Sequence, residues 1–300
     1  MSNLDQLNRR FAISGVVSIG AGQGGLPRVN IKTPAAEAQI YLHGAHVTHF
    51  QAREQKPLLF LSGKSHFEAN KPIRGGLPIC FPWFGPRAGD SAAPVHGFAR
   101  LLSWDLVETK QLPDGSVNVA LELRSSDATR TSWPFDFVAR YQVNVGKALE
   151  LTLRVTNGSK QPFTFEEALH TYLAVGDVRK VSIDGLANHR FIDKVDGAKQ
   201  KTQTGAIAIE GETDRVYLDT TDTTTIADPT WSRQIHIKKS GSNTTVVWNP
   251  WIAKAKAMPD FGNDEWPNML CVETANAASD AVTLASGATH EMRAVLEATA

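Results

Sequence analysis

The chain has 300 residues, of which 42% are hydrophobic, so it can bury a substantial core, and this composition excludes a largely disordered or fibrous protein. Its 31 lysines and arginines balance 31 aspartates and glutamates, so no overall field favours nucleic acid or an anionic membrane. Two cysteines are too few for a disulfide framework, and no stretch has the apolar length of a secretory signal or a membrane span. We expect a soluble, cytoplasmic protein of one or two domains.

The predicted elements begin with a short helix, because the first ten residues show helical periodicity. Residues 20–27 are rich in glycine and superficially resemble a dinucleotide-binding loop. They lead into a proline and a strand-like stretch rather than into a helix, so we predict a plain loop.

Three histidines follow at intervals of three: His43, His46 and His49. This spacing would align them on a helix, but Gly44 and the surrounding apolar pattern favour a strand. On a strand His46 faces away from the other two, and zinc requires convergent ligands. We therefore predict no metal site at these histidines.

Two arginines lie in segments that are too broken for helix and too apolar for an ordinary solvated loop: Arg74 in residues 71–85 and Arg100 in residues 96–100. A planar guanidinium offers paired donors that match two oxygens of a phosphate. Two guanidinium groups that converge would select a phosphorylated ligand, and the flanking aromatic residues would suit the face of a sugar. Arg87 is close enough in sequence to compete for the phosphate role.

Period-two alternation dominates the rest of the chain and is clearest in residues 149–156, where leucines and a valine share one face. Further strands are predicted at residues 117–124, 137–145, 235–239, 244–248, 269–274 and 281–284, and a short helix at residues 252–257. Because turns rather than crossover helices join these strands, the sequence predicts an all-β fold of large antiparallel sheets.

Two titratable residues stand out within predicted strands. Alternation places His170 on the face opposite Phe165, where it can point into a cleft or serve as a hydrogen-bonded core or surface histidine. Glu273 lies in an apolar strand, where an unpaired carboxylate is costly. It either accepts hydrogen bonds in a structural role or acts as a proton acceptor. Asp214 can accept a hydrogen bond from a ligand hydroxyl or pair with Arg215 on the surface.

Two pairs of residues give weaker signals. Trp248 and Trp251 can offer an indole to a sugar ring or pack in the core. Cys80 and Cys271 are disfavoured as nucleophiles, because neither lies in a recognisable elbow or at a helix start that would lower the pKa of its thiol.

Taken together, these pieces resemble the aldose 1-epimerase superfamily, and specifically its hexose-6-phosphate mutarotase branch, also called glucose-6-phosphate 1-epimerases. The resemblance rests on the order of AQIYLHGAHV at residues 38–47, IRGGLPICFPWFG at 73–85 and HGFAR at 96–100, followed by His170, Asp214 and Glu273. It implies a single domain over residues 1–300, built as a large antiparallel β-sandwich of the galactose mutarotase-like supersandwich type with few short helices. It also implies an open carbohydrate cleft without a metal or an organic cofactor.

The resemblance further implies a role for each candidate residue. Arg74 and Arg100 contact the phosphate, and His170 and Glu273 transfer protons. The sugar contacts are implied to come from two more residues: His96 and Asp214.

The implied activity is that of an isomerase, which interconverts the α and β anomers of a hexose 6-phosphate by ring opening and reclosure. We expect mutual attraction to favour the charged forms of His170 and Glu273. The implied partner is a small sugar phosphate rather than nucleic acid or membrane, and the chain is expected to be a monomer or a weak oligomer. Two alternatives remain open: a mutarotase of unphosphorylated hexoses, and a non-catalytic carbohydrate-binding protein.

Overall fold

The computed structural model describes residues 3–300, and strands dominate it. The strands are β1 (Val17–Ala21), β2 (Pro27–Lys32), β3 (Ala36–Tyr41), β4 (His46–Ala52), β5 (Ile79–Cys80), β6 (Asp105–Gln111), β7 (Val117–Arg124), β8 (Phe137–Val145), β9 (Leu149–Asn157), β10 (Phe163–Phe165), β11 (Glu167–Leu169), β12 (Tyr172–Ala174), β13 (Ser182–Asp184), β14 (Arg190–Asp193), β15 (Lys199–Thr202), β16 (Thr213–Tyr217), β17 (Thr224–Asp228), β18 (Arg233–Ser240), β19 (Thr244–Asn249), β20 (Met269–Asn276), β21 (Val282–Leu284) and β22 (Thr289–Thr299).

Helices are few and short. The α-helices are α1 (Asn3–Phe11), α2 (Asp127–Ser132) and α3 (Trp251–Ala257). Single 3-10 turns occur at Gln23–Gly25, Ala99–Leu101, Val178–Lys180, Lys194–Asp196, Trp266–Asn268 and Ala278–Asp280. Within residues 3–300, no helix combines the length and the apolar character that crossing a bilayer requires.

The named strands pair antiparallel in four sheets. One eight-stranded sheet has the order β13-β17-β18-β22-β9-β8-β7-β6. The other has the order β15-β14-β16-β19-β20-β11-β5, with β12 also paired to β20. A four-stranded sheet β1-β2-β3-β4 and the pair β10-β21 complete the architecture. The predicted all-β, antiparallel fold is confirmed.

The core forms where the apolar faces of the sheets meet. In β8, buried residues alternate strictly with partly exposed ones, and β9 follows the same period. Leu149, Leu151, Leu153 and Val155 are fully buried, as the alternation of β9 predicted. Burying one such side chain stabilises the fold by about 1.5–3 kcal/mol, so this face contributes strongly to the packing of the sheets.

The segment around His170 differs from one continuous strand. It divides into β10, β11 and β12, and β10 pairs with β21 while β11 pairs with β20 and β5. Glu166 lies at the first break, where its carboxylate accepts hydrogen bonds from the backbone N–H groups of Phe84 and Ala278. These bonds hold the chain as it passes from one sheet to another, and His170 follows directly after β11.

The histidine segment also differs from its prediction, because β4 begins only at His46. Gly44 and Ala45 form a tight turn with φ of 71° and 47°. The turn breaks the strand register, so His43 and His49 do not share a strand face. The glycine-rich residues 20–27 form a connection between β1 and β2, which confirms the predicted plain loop.

Candidate active site

A cleft of about 510 Å³ is formed at the eight-stranded sheet that contains β11, β12, β16, β19 and β20. It is lined by every side chain that the sequence predicted for the site: Arg74, His96, Arg100, His170, Asp214 and Glu273. Segments that are far apart in the sequence therefore converge on one hollow. Its volume lies within the range that small-molecule sites occupy in proteins.

Strand pairing places His170 beside Glu273. Leu169 of β11 pairs with Thr274 of β20, so the next residue along the chain, His170, comes opposite Glu273. Nδ1 of His170 lies 3.3 Å from Oε1 of Glu273, and the two side chains are only 8% and 1% exposed. The two groups are thus close enough to act on a single sugar ring.

Aromatic rings fix the orientation of the His170 imidazole. The ring stacks on Tyr172, with centroids 4.8 Å apart and planes 9° apart. The rings of His96 and Trp248 meet it edge to face at 5.5 and 6.1 Å. Because these neighbours hold the ring from several sides, its position is set before a ligand binds.

Burial controls the protonation of this pair. Burial raises the pKa of Glu273 well above its ordinary value, and the nearby Asp214 raises it further. Burial lowers the pKa of His170 well below its ordinary value, as do the positive charges of Arg100 and Arg74. Burial therefore disfavours the charged forms of both His170 and Glu273. It opposes the mutual attraction that was expected to favour those charged forms, because both groups lose hydration.

Arg74 is held in place by two neighbours. Its Nε and Nη2 lie 3.2 and 3.1 Å from Oδ2 of Asp260, and its Nη1 donates to the hydroxyl of Tyr172 at 3.0 Å. A guanidinium carries five N–H groups, so one on Nη1 and one on Nη2 stay free for a ligand. The side chain is 21% exposed, which leaves this edge accessible.

Arg100 is more deeply buried and less well partnered. It is 8% exposed, and its Nη2 donates to the backbone carbonyl of Val95 at 2.7 Å. Within residues 3–300, its Nε has no hydrogen-bond partner and its guanidinium forms no ion pair. A buried cation without a direct ion pair is costly, so this position favours an anionic ligand.

His96 both holds its own turn and lines the cleft. Its Nδ1 accepts a hydrogen bond from the backbone N–H of Gly85 at 3.0 Å, and burial lowers its pKa well below the ordinary value. The neutral ring therefore carries its proton on Nε2 and can donate it to a ligand. The next residue, Gly97, has φ of 72°, and an added Cβ would lie 2.0 Å from the carbonyl oxygen of Phe81, so only glycine fits.

Asp214 faces the cleft and does not pair with Arg215. Alternation along β16 separates the two side chains, and the guanidinium of Arg215 instead lies over the ring of Phe191, 5.0 Å from its centroid. Burial raises the pKa of Asp214 above its ordinary value. On the neighbouring strand Trp248 pairs with Asp214 and also lines the cleft, so a carboxyl group and an indole lie side by side.

Sequence reasoning missed two lysines of the cleft: Lys254, which pairs with Glu212, and Lys194. Lys194 belongs to the 3-10 turn Lys194–Asp196, lines the cleft, and holds its Nζ 4.8 Å from the ring centroid of Phe84. An isolated lysine in a polar stretch carries no sequence signal for a site. Tyr172 and Asp260, which orient Arg74, were missed for the same reason.

Two other candidates lie outside the cleft. Arg87 donates to the backbone carbonyl of Ser132 at 2.6 Å and lies over the ring of Trp83, so it does not compete for a ligand there. Trp251 packs against Trp266, with ring centroids 4.3 Å apart. Of the two tryptophans singled out in the sequence, only the one on β19 lines the cleft.

Neither cysteine has the character of a nucleophile, because burial raises the pKa of both Cys80 and Cys271. The thiol of Cys271 does lie near His170 and Glu273: one ligand atom from each of the three residues lies within 4.8 Å of the other two. This grouping is compact enough to hold a metal ion, but the nearby guanidinium of Arg100 opposes a divalent cation. The absence of a metal stays a prediction.

Comparison with known proteins gives consistent matches. The chain matches the aldose 1-epimerase family over residues 27–297. A protein of Escherichia coli (strain K12) named "Putative glucose-6-phosphate 1-epimerase" is 39% identical over 254 residues, or 84% of each chain. One of the same name from Cenchrus ciliaris is 38% identical over 272 residues, covering 87% of this chain and 81% of the relative. The crystal structure of a "putative mutarotase (YeaD)" from Salmonella typhimurium has a TM-score of 0.90 at 33% identity, covering 96% of this chain and 95% of that one.

The antiparallel β-sandwich is shared with the solved structure titled a mutarotase, and the family match places the chain in the class of epimerases. The chain is a member of the aldose 1-epimerase family and an enzyme of the epimerase type. The resemblance inferred from the sequence motifs is confirmed.

Proposed function

We propose that this protein interconverts the α and β anomers of a hexose 6-phosphate, with glucose 6-phosphate as its preferred substrate. The proposal depends mainly on one observation: the guanidinium of Arg100 is buried and has no ion-pair partner, and it lines the same cleft as His170 and Glu273. A phosphate dianion would supply the countercharge, and Arg74 would add two further N–H donors. The names of the relatives agree with this substrate.

Ring opening needs one base and one acid. Glu273 and His170 share one transferable proton, so the group that holds it can act as the acid while the other acts as the base. Glu273 as carboxylate takes the proton of the C1 hydroxyl, while His170 as imidazolium donates its proton to the ring oxygen. The C1–O5 bond breaks and C1 becomes an aldehyde carbon. After rotation about C1–C2, the two transfers run in reverse and the ring closes to the other anomer. In this scheme Glu273 is protonated and His170 is neutral while the open-chain sugar is bound. Burial favours this state of the pair.

Phosphate binding favours the charged form of His170. The positive charges of Arg100 and Arg74 contribute to its low pKa in the free cleft. A dianion bound to both guanidinium groups offsets those charges, so it raises the pKa of His170 and moves the shared proton from Glu273 to the imidazole. The phosphate would thus orient the sugar and also prepare the acid that opens it.

The experiment that tests the proposal compares the wild-type enzyme on two sugars. Exchange between anomers is measured by NMR for glucose 6-phosphate and for glucose, with the spontaneous rate subtracted. We expect kcat/KM to be at least about 100-fold higher for glucose 6-phosphate, because two charge-assisted phosphate contacts are lost with glucose. Equal values would favour a mutarotase of free hexoses, and binding without faster exchange would favour a carbohydrate-binding protein.

The pH profile should also depend on the phosphate. Burial raises the pKa of Glu273 and lowers that of His170, so it favours the state in which the carboxyl group holds the proton of the pair. The second pKa of a phosphate monoester is about 6, and below it the substrate loses one negative charge. We expect kcat/KM for glucose 6-phosphate to fall as pH drops below about 6. The profile for glucose should lack this fall, and identical profiles for the two sugars would contradict the phosphate role.

Lys194 should strengthen substrate binding electrostatically. It is an exposed cation at the cleft, so replacing it with methionine is expected to raise KM for glucose 6-phosphate about 3- to 10-fold with little change in kcat. Lys199→Met is a matched control, because Lys199 is exposed and pairs with Asp196 outside the cleft. Kinetics at rising salt provide the measurement: KM should increase less steeply in the Lys194 variant than in the wild type or the control.

A further inference from the structure

Two histidines of one turn hold the loop that carries Arg74. Nε2 of His43 lies 2.7 Å from the backbone carbonyl oxygen of Lys71, and Nε2 of His46 lies 2.7 Å from that of Gly75. These two carbonyl groups flank Arg74 in the chain. Burial lowers the pKa of His46 to about 3, so its ring is neutral and its Nε2–H donates. The loop is therefore fixed on both sides of the arginine.

The same turn contacts the backbone of the second arginine. The N–H of Gly44 donates to the carbonyl of Leu102 at 2.7 Å, and His43 forms an isolated bridge with Ser103. An added Cβ at Gly44 would lie 2.8 Å from the carbonyl oxygen of Arg100. Residues 42–46, here termed the histidine turn, are thus in direct contact with both arginine-bearing segments.

The close packing leaves little room for adjustment. An added Cβ at Gly76 would lie 2.5 Å from the carbonyl oxygen of Val47 and 2.8 Å from Nε2 of His46. Because the loop backbone lies directly against the turn, loss of the His46 hydrogen bond would leave the buried carbonyl of Gly75 without that donor. The loop would then move, and Arg74 would move with it.

We propose that the histidine turn sets the spacing between Arg74 and Arg100, with His43 and His46 as positioning residues for the phosphate site. This inference rests on the proposed phosphate role of the two arginines. Neither histidine lines the cleft, so both act through the loop and not on the substrate. The turn explains two of the three regularly spaced histidines, and the third, His49, lies apart on the outer face of the four-stranded sheet.

The test compares leucine and glutamine at each position. In His43→Leu and His46→Leu, KM for glucose 6-phosphate is expected to rise about 5- to 20-fold while kcat stays within about twofold. The inhibition constant of inorganic phosphate should rise in parallel. Glutamine carries an amide N–H that can reach the same carbonyl, so His43→Gln and His46→Gln should restore most of the wild-type KM. His49→Leu is the matched control and should leave KM unchanged.

Free glucose separates this inference from the proposed function. The leucine variants should leave kcat/KM for glucose nearly unchanged, because glucose has no phosphate to hold. Suppose that the wild type prefers glucose 6-phosphate. If the leucine variants then keep the wild-type KM for glucose 6-phosphate, or lower kcat/KM equally for both sugars, the positioning role is overturned and the proposed function stands. If the wild type shows no such preference, both fall. Should His46→Leu lack a cooperative thermal transition, the His43 variants decide the question.

Discussion

Replacing Glu273 with glutamine is expected to lower kcat for glucose 6-phosphate by about 10²- to 10⁴-fold. Glutamine has nearly the same shape but can neither accept the C1 hydroxyl proton nor share one with His170. The substrate contacts of the arginines are unaffected, so KM should change little. Anomer exchange measured by NMR provides kcat and KM.

A second buried glutamate provides the control for this variant. Glu167 is fully buried on β11, burial raises its pKa well above the ordinary value, and it does not line the cleft. Glu167→Gln should therefore retain wild-type kcat. Exchange rates in Glu273→Gln that equal those of the wild type would rule out its role as the base, provided that thermal unfolding shows both variants to be folded.

Replacing Arg100 with methionine is expected to lower kcat/KM for glucose 6-phosphate by roughly 10²- to 10³-fold, because a buried charge-assisted contact is worth several kcal/mol. Methionine fills much of the same volume without the charge. Arg100→Lys keeps the charge but loses the paired donors, so its value should lie between those of the wild type and the methionine variant. Steady-state kinetics of the three proteins provide the measurement.

Two controls separate a phosphate effect from a general loss of structure. Arg87→Met changes a neighbouring arginine outside the cleft and should keep wild-type kcat/KM. The slow turnover of free glucose by Arg100→Met should change much less than its turnover of glucose 6-phosphate. Equal losses of kcat/KM for both sugars in Arg100→Met would show that Arg100 has a structural role.

The sequence predicted the strands well because their alternation directly reflects burial. β7 and β8 have the predicted bounds, and β20 extends only slightly beyond them. Glu273 was recognisable because a carboxylate in an apolar strand is unusual enough to need an explanation. His170 was recognisable only through the order of the family motifs, since its local pattern left several roles open.

Other features depend on contacts between distant parts of the chain. Lys194 lines the cleft and Asp260 pairs with Arg74, and both lie in turns without any distinctive pattern, so no local signal marks them. The effect of burial on the pKa values of His170 and Glu273 was not predicted, because it depends on how deeply both groups are buried, which a sequence does not give. The turn at Gly44 likewise breaks a strand that alternation alone would continue.

The most direct measurement of the central claim is a crystal structure of the Glu273→Gln variant with glucose 6-phosphate bound. We expect phosphate oxygens within about 3 Å of guanidinium nitrogens of both Arg74 and Arg100, with the ring oxygen or C1 hydroxyl at a similar distance from His170. A phosphate bound away from the two arginines, or a sugar whose C1 lies out of reach of His170, would contradict it.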